Sequence, residues 1–254
     1  MSFLRSLAAA FSMFSVIPMP HIDWKETNMR FILAAFPVVG IAVGVLSALW
    51  CMLSGFFSFP PMILALGLTL IPLAVSGGIH MDGYCDTVDA ISSHADMEKK
   101  RAILKDPHTG AFGVIGVCAY LLFYYVICCQ LKADADAVRL LFLVYIVARC
   151  ASGFASVTLK PAGDTGLQKT MHDAAYRGAA SAILIAMFAV CILLAALTGL
   201  VFAYYMIVCT AVVFLITAGI AKKSFGGMSG DIAGFQYQIT ELTMITALVI
   251  IQNI

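Results

Sequence analysis

Seven apolar stretches of membrane-crossing length, at roughly 31–55, 60–78, 111–131, 138–158, 179–198, 200–221 and 233–252, restrict this chain to one class of fold. About 20 consecutive apolar residues are needed to span a bilayer, and a spanning backbone must satisfy its own hydrogen bonds. Charged residues make up 11% of the 254, against about 25% in a soluble domain. The expected fold is therefore all-α, a polytopic membrane helix bundle of about seven transmembrane helices. Residues 2–19 form a shorter apolar run ending at Pro18 and Pro20, without a small-residue cleavage site. A short N-terminal interfacial or re-entrant helix is expected there, not a removable signal. No linker or internal repeat divides the chain, so residues 1–254 read as a single integral-membrane domain.

The connections between stretches alternate. Those at Phe57–Pro61, Lys132–Ala137 and Thr198–Gly199 are short, and those at 79–110, 159–178 and 222–232 are long and polar. Of the 15 Lys and Arg residues, all but Lys132 and Arg139 fall on the side of the long loops, with Arg149 counted as near a span end. That bias places the long loops in the cytoplasm. Every candidate functional loop then shares one face of the membrane. No basic patch with interleaved aromatics is present, so nucleic acid is not an expected partner. The eight cysteines lie mostly inside apolar runs without a CxxC pair, and they read as small core residues.

The polar segment Gly77–Gly113 carries Asp82, Asp86, Asp89, Asp96, Glu98 and Asp106. Asp82, Asp86 and Asp89 stand at i, i+4 and i+7. In a helix they would lie within about 60° of one another. Three like charges on one face repel, and a divalent cation with a taste for oxygen ligands, such as Mg²⁺, would remove that cost. Lys99, Lys100, Arg101 and Lys105 follow at once, a pattern suited to a phosphate-bearing substrate. A merely solvated helix face is the plain alternative. His80 is a candidate ligand or proton carrier.

Two further loops carry signals. Gly226, Gly227 and Gly230 allow close backbone approach to a ligand, and Asp231 reads either as the N-cap of the last helix or as a further metal ligand. The segment Lys160–Leu167 is Gly-rich with a cation at its start. Glu241 lies inside the last apolar stretch and Arg149 inside the fourth, and acids within spans are functional candidates.

These motifs resemble a known family. Gly77-Gly78-Ile79-His80-Met81-Asp82-Gly83-Tyr84-Cys85-Asp86-Thr87-Val88-Asp89 is similar to the GGxHxDGxxDxxD motif of the cobalamin synthase (adenosylcobinamide-GDP ribazoletransferase) family. Lys105-Asp106-Pro107-His108-Thr109-Gly110-Ala111-Phe112-Gly113 resembles its KDSxxGxFG block. Gly226-Gly227-Met228-Ser229-Gly230-Asp231 with Gly234 resembles its GGxTGDxxG block, and Ile17-Pro18-Met19-Pro20 its IPxP. Pro107-His108 replaces the usual Ser-Arg, Ser229 a commoner Thr, and Gln238 an expected acid.

The resemblance implies the final nucleotide-loop assembly step of cobalamin biosynthesis in the bacterial cytoplasmic (inner) membrane. The 5′-hydroxyl of α-ribazole, or its 5′-phosphate form, would be joined to adenosylcobinamide-GDP with loss of GMP and a requirement for Mg²⁺. Asp82, Asp86 and Asp89 would hold the metal, with Asp106, Asp231 and Glu241 as further ligands. Asp82, Asp89 and His80 would form the catalytic set, with Asp89 or His80 taking the proton. Arg101, Lys105, Arg149, Gly226 and Gly227 would bind substrate. Other late corrinoid-assembly enzymes, or a second copy, are admissible partners. A CDP-alcohol phosphatidyltransferase would need a DxxDGxxAR core, which this chain lacks. A transporter would place more acids at mid-span.

Overall fold

The computed structural model of the chain describes residues 2–20, 29–163 and 167–254. The described residues are helical almost throughout, with one parallel bridge between Pro161 and Met228. In chain order the helices are α1 (Ser2–Phe14), α2 (Ile32–Phe56), α3 (Pro61–Ser76), α4 (Ile79–Ser92), α5 (Met97–Ile103) and α6 (Ala111–Cys129). They continue with α7 (Ala135–Thr158), α8 (Leu167–Ala174), α9 (Arg177–Thr198), α10 (Leu200–Ile220) and α11 (Gly230–Asn253). One π turn, Ala221–Phe225, prolongs α10.

Six helices, α2, α6, α7, α9, α10 and α11, are long and apolar enough to cross a membrane. The stretch at 60–78 returns the chain to the end where α1 meets α2, with Val16 N–H donating to the Val75 carbonyl at 2.9 Å, but by a short helix. Its helix α3 has 16 residues, about 24 Å at 1.5 Å per residue, short of a hydrocarbon core of about 30 Å. It stops because Gly77 and Gly78 both adopt positive φ, +62° and +79°, which glycine enters without a Cβ clash. The chain there bends by 95° into α4. The segment 79–110 is thus no loop. It holds α4, packed against α11 and α6, and then the short α5.

The apolar patterning explains the layering. The spanning part of α7 is 89% buried, against 22–28% for α6, α9 and α10. So α7 is the axis, with α2, α9 and α11 packed around it. The outer helices present Leu122, Phe123, Leu193, Leu197 and Leu215 outward, as lipid-facing helices must. Arg149 lies well inside α7 and is fully buried. It is not near a span end and does not count towards the charge bias.

Contacts at one end of the bundle tie distant segments together. Met228 N–H donates to the Lys160 carbonyl (2.7 Å), and Ala162 N–H donates to the Met228 carbonyl (2.8 Å). Arg101 Nε donates to the Phe225 carbonyl (2.6 Å), joining α5 to the π turn. Helix α1 lies along α2, with the Phe14 and Phe36 rings 4.4 Å apart. The N-cap of α11 is Ser229, whose Oγ accepts from Ile232 N–H at 3.2 Å, and not Asp231. Two expected loops fall partly outside the described residues: positions 21–28, with Lys25, and positions 164–166.

Candidate functional site

A cavity of about 460 Å³ lies at this end. Six segments build its walls: the end of α1, the start of α4, α5 with Leu104 and Lys105, Ala162 with Gly163, α8, and the turn into α11. Asp82 and Asp231 line it together, facing Arg101, Lys105 and Lys169. His80 borders it as well.

Helix contact brings the two carboxylates together. A Cβ at Gly83 would come within 2.7 Å of the Asp231 Cα, and one at Gly234 within 2.8 Å of the His80 carbonyl oxygen. Only glycine at both positions lets α4 and α11 touch backbone to backbone. Asp231 in the first turn of α11 also sits at the positive end of the helix dipole. Because Ser229 takes the capping task, the Asp231 carboxylate is left to the cavity, where Ser229 Oγ donates to its Oδ2 at 3.3 Å.

Asp86 lies beside this pair, one turn after Asp82 on α4, outside the six spanning helices. Burial, and then the charges of Asp82, Asp231 and Asp89, push its carboxyl up to about 6. The neighbouring acids add to the effect of burial at Asp86, and Asp231 contributes from α11. Among the described residues, no three His, Cys, Asp or Glu side chains converge closely enough to hold a metal by themselves.

The remaining expected site residues are distributed differently. Asp89 accepts from Gly113 N–H at 3.1 Å, and its carboxylate fills the space over Gly110. It secures the N-terminus of α6. Asp106 is outside the cavity lining, on an exposed turn where His108 donates to it from backbone and ring. Those bonds hold its carboxyl below the usual range. The close approach permitted by Gly226 and Gly227 is taken by the protein itself. A Cβ at Gly226 would meet the Arg101 guanidinium, and one at Gly227 the Lys160–Pro161 backbone. Neither glycine is among the residues that line the cavity.

Glu241 and Arg149 belong to a buried polar cluster within the bundle, not to the cavity. Tyr124 donates to Glu241 Oε1 at 3.1 Å, and Tyr237 donates to Oε2. The Arg149 guanidinium lies 4.6 Å over the Tyr237 ring and donates to the Tyr145 carbonyl at 2.8 Å. Such pairing is what lets charges exist within a span. The His80 ring packs on Tyr237, Phe36 and Phe14 at centroid distances of 4.6, 5.1 and 5.9 Å. Burial and the Arg149 charge push its imidazole down to about 3. It is neutral at physiological pH and a weak base.

Lys169 is not marked as a site residue by the sequence, because a lone cation in a polar loop carries no motif. It pairs with Asp173 across one turn of α8 while lining the cavity. A signal did exist, since Leu167, Met171 and Ala174 recur at i, i+4 and i+7, which marks an amphipathic helix.

Comparisons with known proteins agree on one family. The family model described as cobalamin-5-phosphate synthase matches residues 6–249. An adenosylcobinamide-GDP ribazoletransferase of Lachnoclostridium phytofermentans is 34% identical over 254 residues, covering 100% of this chain and 97% of the relative. One of Clostridium perfringens (strain SM101) is 30% identical, covering 98% and 99%. One of Geobacillus sp. (strain WCH70) is 30% identical, covering 87% and 86%. No solved structure matches.

Proposed function

The chain belongs to the cobalamin-5-phosphate synthase family, and on that premise we propose that it transfers adenosylcobinamide phosphate from adenosylcobinamide-GDP to α-ribazole or α-ribazole 5′-phosphate. The products are adenosylcobalamin, or its 5′-phosphate, and GMP. The observation that carries this reading is the meeting of Asp82 and Asp231 with Arg101, Lys105 and Lys169 in one cavity. A pyrophosphate ester needs cations to bind its oxygens, and a hydroxyl nucleophile needs a carboxylate nearby.

These residues fit Mg²⁺ as well. That ion is usually held by one or two carboxylates together with substrate phosphates and water, not by an all-protein cage. Asp82 and Asp231 would hold it, with Asp86 beside them, and the repulsion felt by Asp86 is the cost it would relieve. When bound, Mg²⁺ neutralises the pyrophosphate and the departing GMP oxygen.

The chain's own residues supply the rest. Lys105, Lys169 and Arg101 clamp phosphate oxygens, and the bond from Arg101 to the Phe225 carbonyl fixes its side chain against the wall. A 5′-phosphate blocks the 5′ oxygen, so the nucleophile common to both acceptors is a secondary ribose hydroxyl, not the 5′-hydroxyl. That oxygen attacks the cobinamide-side phosphorus in line, the bond from phosphorus to the GMP oxygen breaks, and the proton passes to Asp86, beside the two carboxylates that would hold the metal. A carboxylate suits this task better than His80, whose basicity burial has suppressed.

The cavity would face the cytoplasm, since the cation bias survives the removal of Arg149 from the count. A bacterial inner-membrane location follows from the same reading. Membranes holding the protein, given adenosylcobinamide-GDP and α-ribazole, should release GMP and form adenosylcobalamin with Mg²⁺ and not with EDTA. GMP release without cobalamin would point to another acceptor, and no reaction from inserted protein would reject the reading.

A further inference from the structure

The charged side chains occupy only part of the cavity. The rest of its wall is apolar: Met13 and Phe14 from α1, Ile79 from α4, Leu104 from the end of α5, Met171 from α8 and Met228 before α11. Four helices and a loop thus converge on a patch that needs an apolar occupant, beside the groups that handle phosphate. A volume of about 460 Å³ falls within the range of about 300–1,000 Å³ typical of small-ligand sites. It suits one nucleoside, whereas a corrin ring must stay outside.

Two nucleosides compete for it, the guanosine of the donor and the α-ribazole acceptor. Guanine carries an amide, an amino group and further acceptors at its edge. Each needs a partner once buried, at a cost of about 1–3 kcal/mol if left without one. Among the described residues, no Asn or Gln side chain lines the cavity, and its two carboxylates, Asp82 and Asp231, which could pair a guanine edge, are the ones that would hold the metal. The base of α-ribazole has a single free ring nitrogen and two methyl groups, which asks for apolar contact and little else. Met13 and Met171 bring unbranched thioethers to this wall, which adapt to flat surfaces of differing shape, while Met228 is fully buried and backs it.

We propose that this wall is the base site for α-ribazole, and that it sets which lower-ligand bases the protein accepts. The proposal rests on the transferase reading above. It places the acceptor's ribose towards Asp82 and Asp231, and leaves the corrin and guanosine at the rim with Lys105 and Lys169.

Ile79 is 44% exposed and Leu104 is partly buried against the core, so each Gln variant is first checked for a wild-type unfolding temperature. Ile79→Gln and Leu104→Gln, with Gly178→Ala on α9 as the control, would be tested in two ways. The first is equilibrium binding of radiolabelled α-ribazole to the full-length protein in detergent. The second is steady-state turnover, varying each substrate in turn and comparing α-ribazole with α-ribosides of benzimidazole and adenine. The Gln variants should bind α-ribazole about tenfold more weakly, the low end of the range of about 10–200-fold for apolar-pocket changes. KM for adenosylcobinamide-GDP should stay unchanged, and the preference for dimethylbenzimidazole over adenine should narrow. A rise confined to the KM of adenosylcobinamide-GDP would place guanine in the cavity and overturn the proposal, as would unchanged α-ribazole binding. Wild-type protein that binds α-ribazole through this wall without forming cobalamin would uphold the base site and reject the transferase reading instead.

Discussion

Gly83 of α4 lies directly against Asp231 of α11: a Cβ at position 83 would come within 2.7 Å of the Asp231 Cα and 2.9 Å of its carbonyl oxygen. This contact sets the spacing of the cavity's two carboxylates. Gly83→Ala should push the helices apart, costing about 1–3 kcal/mol as overpacking does and lowering turnover with it. Gly178→Ala on α9 is the control, since nothing lies within 4 Å of a Cβ there. Thermal unfolding in detergent and turnover in membranes would check both. A Gly83→Ala protein as stable and active as the control would remove the helix contact from the account.

Glu241 is expected to act through the fold. Its oxygens are taken by Tyr124 and Tyr237, away from the cavity. Glu241→Gln should lower the unfolding temperature and leave the Mg²⁺ concentration for half-maximal activity unchanged. A marked rise in that concentration would return Glu241 to the metal site.

Asp86 gives a pH dependence whose sign can be stated. Its carboxyl is pushed up to about 6 from an ordinary 3.8, so between those values the folded protein holds a proton that the unfolded chain has lost. Stability of the metal-free protein should therefore rise as pH falls through about 6. Asp86→Asn should flatten that rise, and Mg²⁺ at neutral pH should raise the wild type's unfolding temperature. Identical profiles for wild type and Asp86→Asn would show that the acid cluster carries no such repulsion.

Much of the fold can be read from the sequence because a bilayer leaves so few choices. Apolar runs at 31–55, 138–158 and 233–252 correspond to α2, α7 and α11. What is not legible is tertiary. Gly77-Gly78 reads as part of a motif, and it is the bend that ends α3. Gly226-Gly227 reads as a place for a ligand to approach, and Arg101 and the Lys160–Pro161 backbone fill the space beside it. Asp82 is legible as a site residue from its spacing with Asp86, but its meeting with Asp231 depends on helix packing that no local pattern encodes. Arg149 and Glu241 are legible as unusual charges within spans. Their partner Tyr237 is not, because a tyrosine in an apolar run gives no sign of what its hydroxyl touches.

Lys169 is expected to serve the donor. Lys169→Ala should raise KM for adenosylcobinamide-GDP about tenfold and leave KM for α-ribazole unchanged. This is the opposite pattern to that of the apolar wall. Steady-state kinetics varying each substrate separately would separate the two, and an unchanged donor KM would confine Lys169 to its pair with Asp173.

The most direct test is Mg²⁺-dependent cobalamin formation by Asp231→Asn and Asp82→Asn proteins, each inserted in membranes at the wild-type level. Both are expected to lose at least about a hundredfold in turnover, on the scale of removing one charge-stabilising group from an active site, with insertion and unfolding temperature retained. Loss in Asp82→Asn alone, with Asp231→Asn as active as wild type, would contradict a site built from both helices.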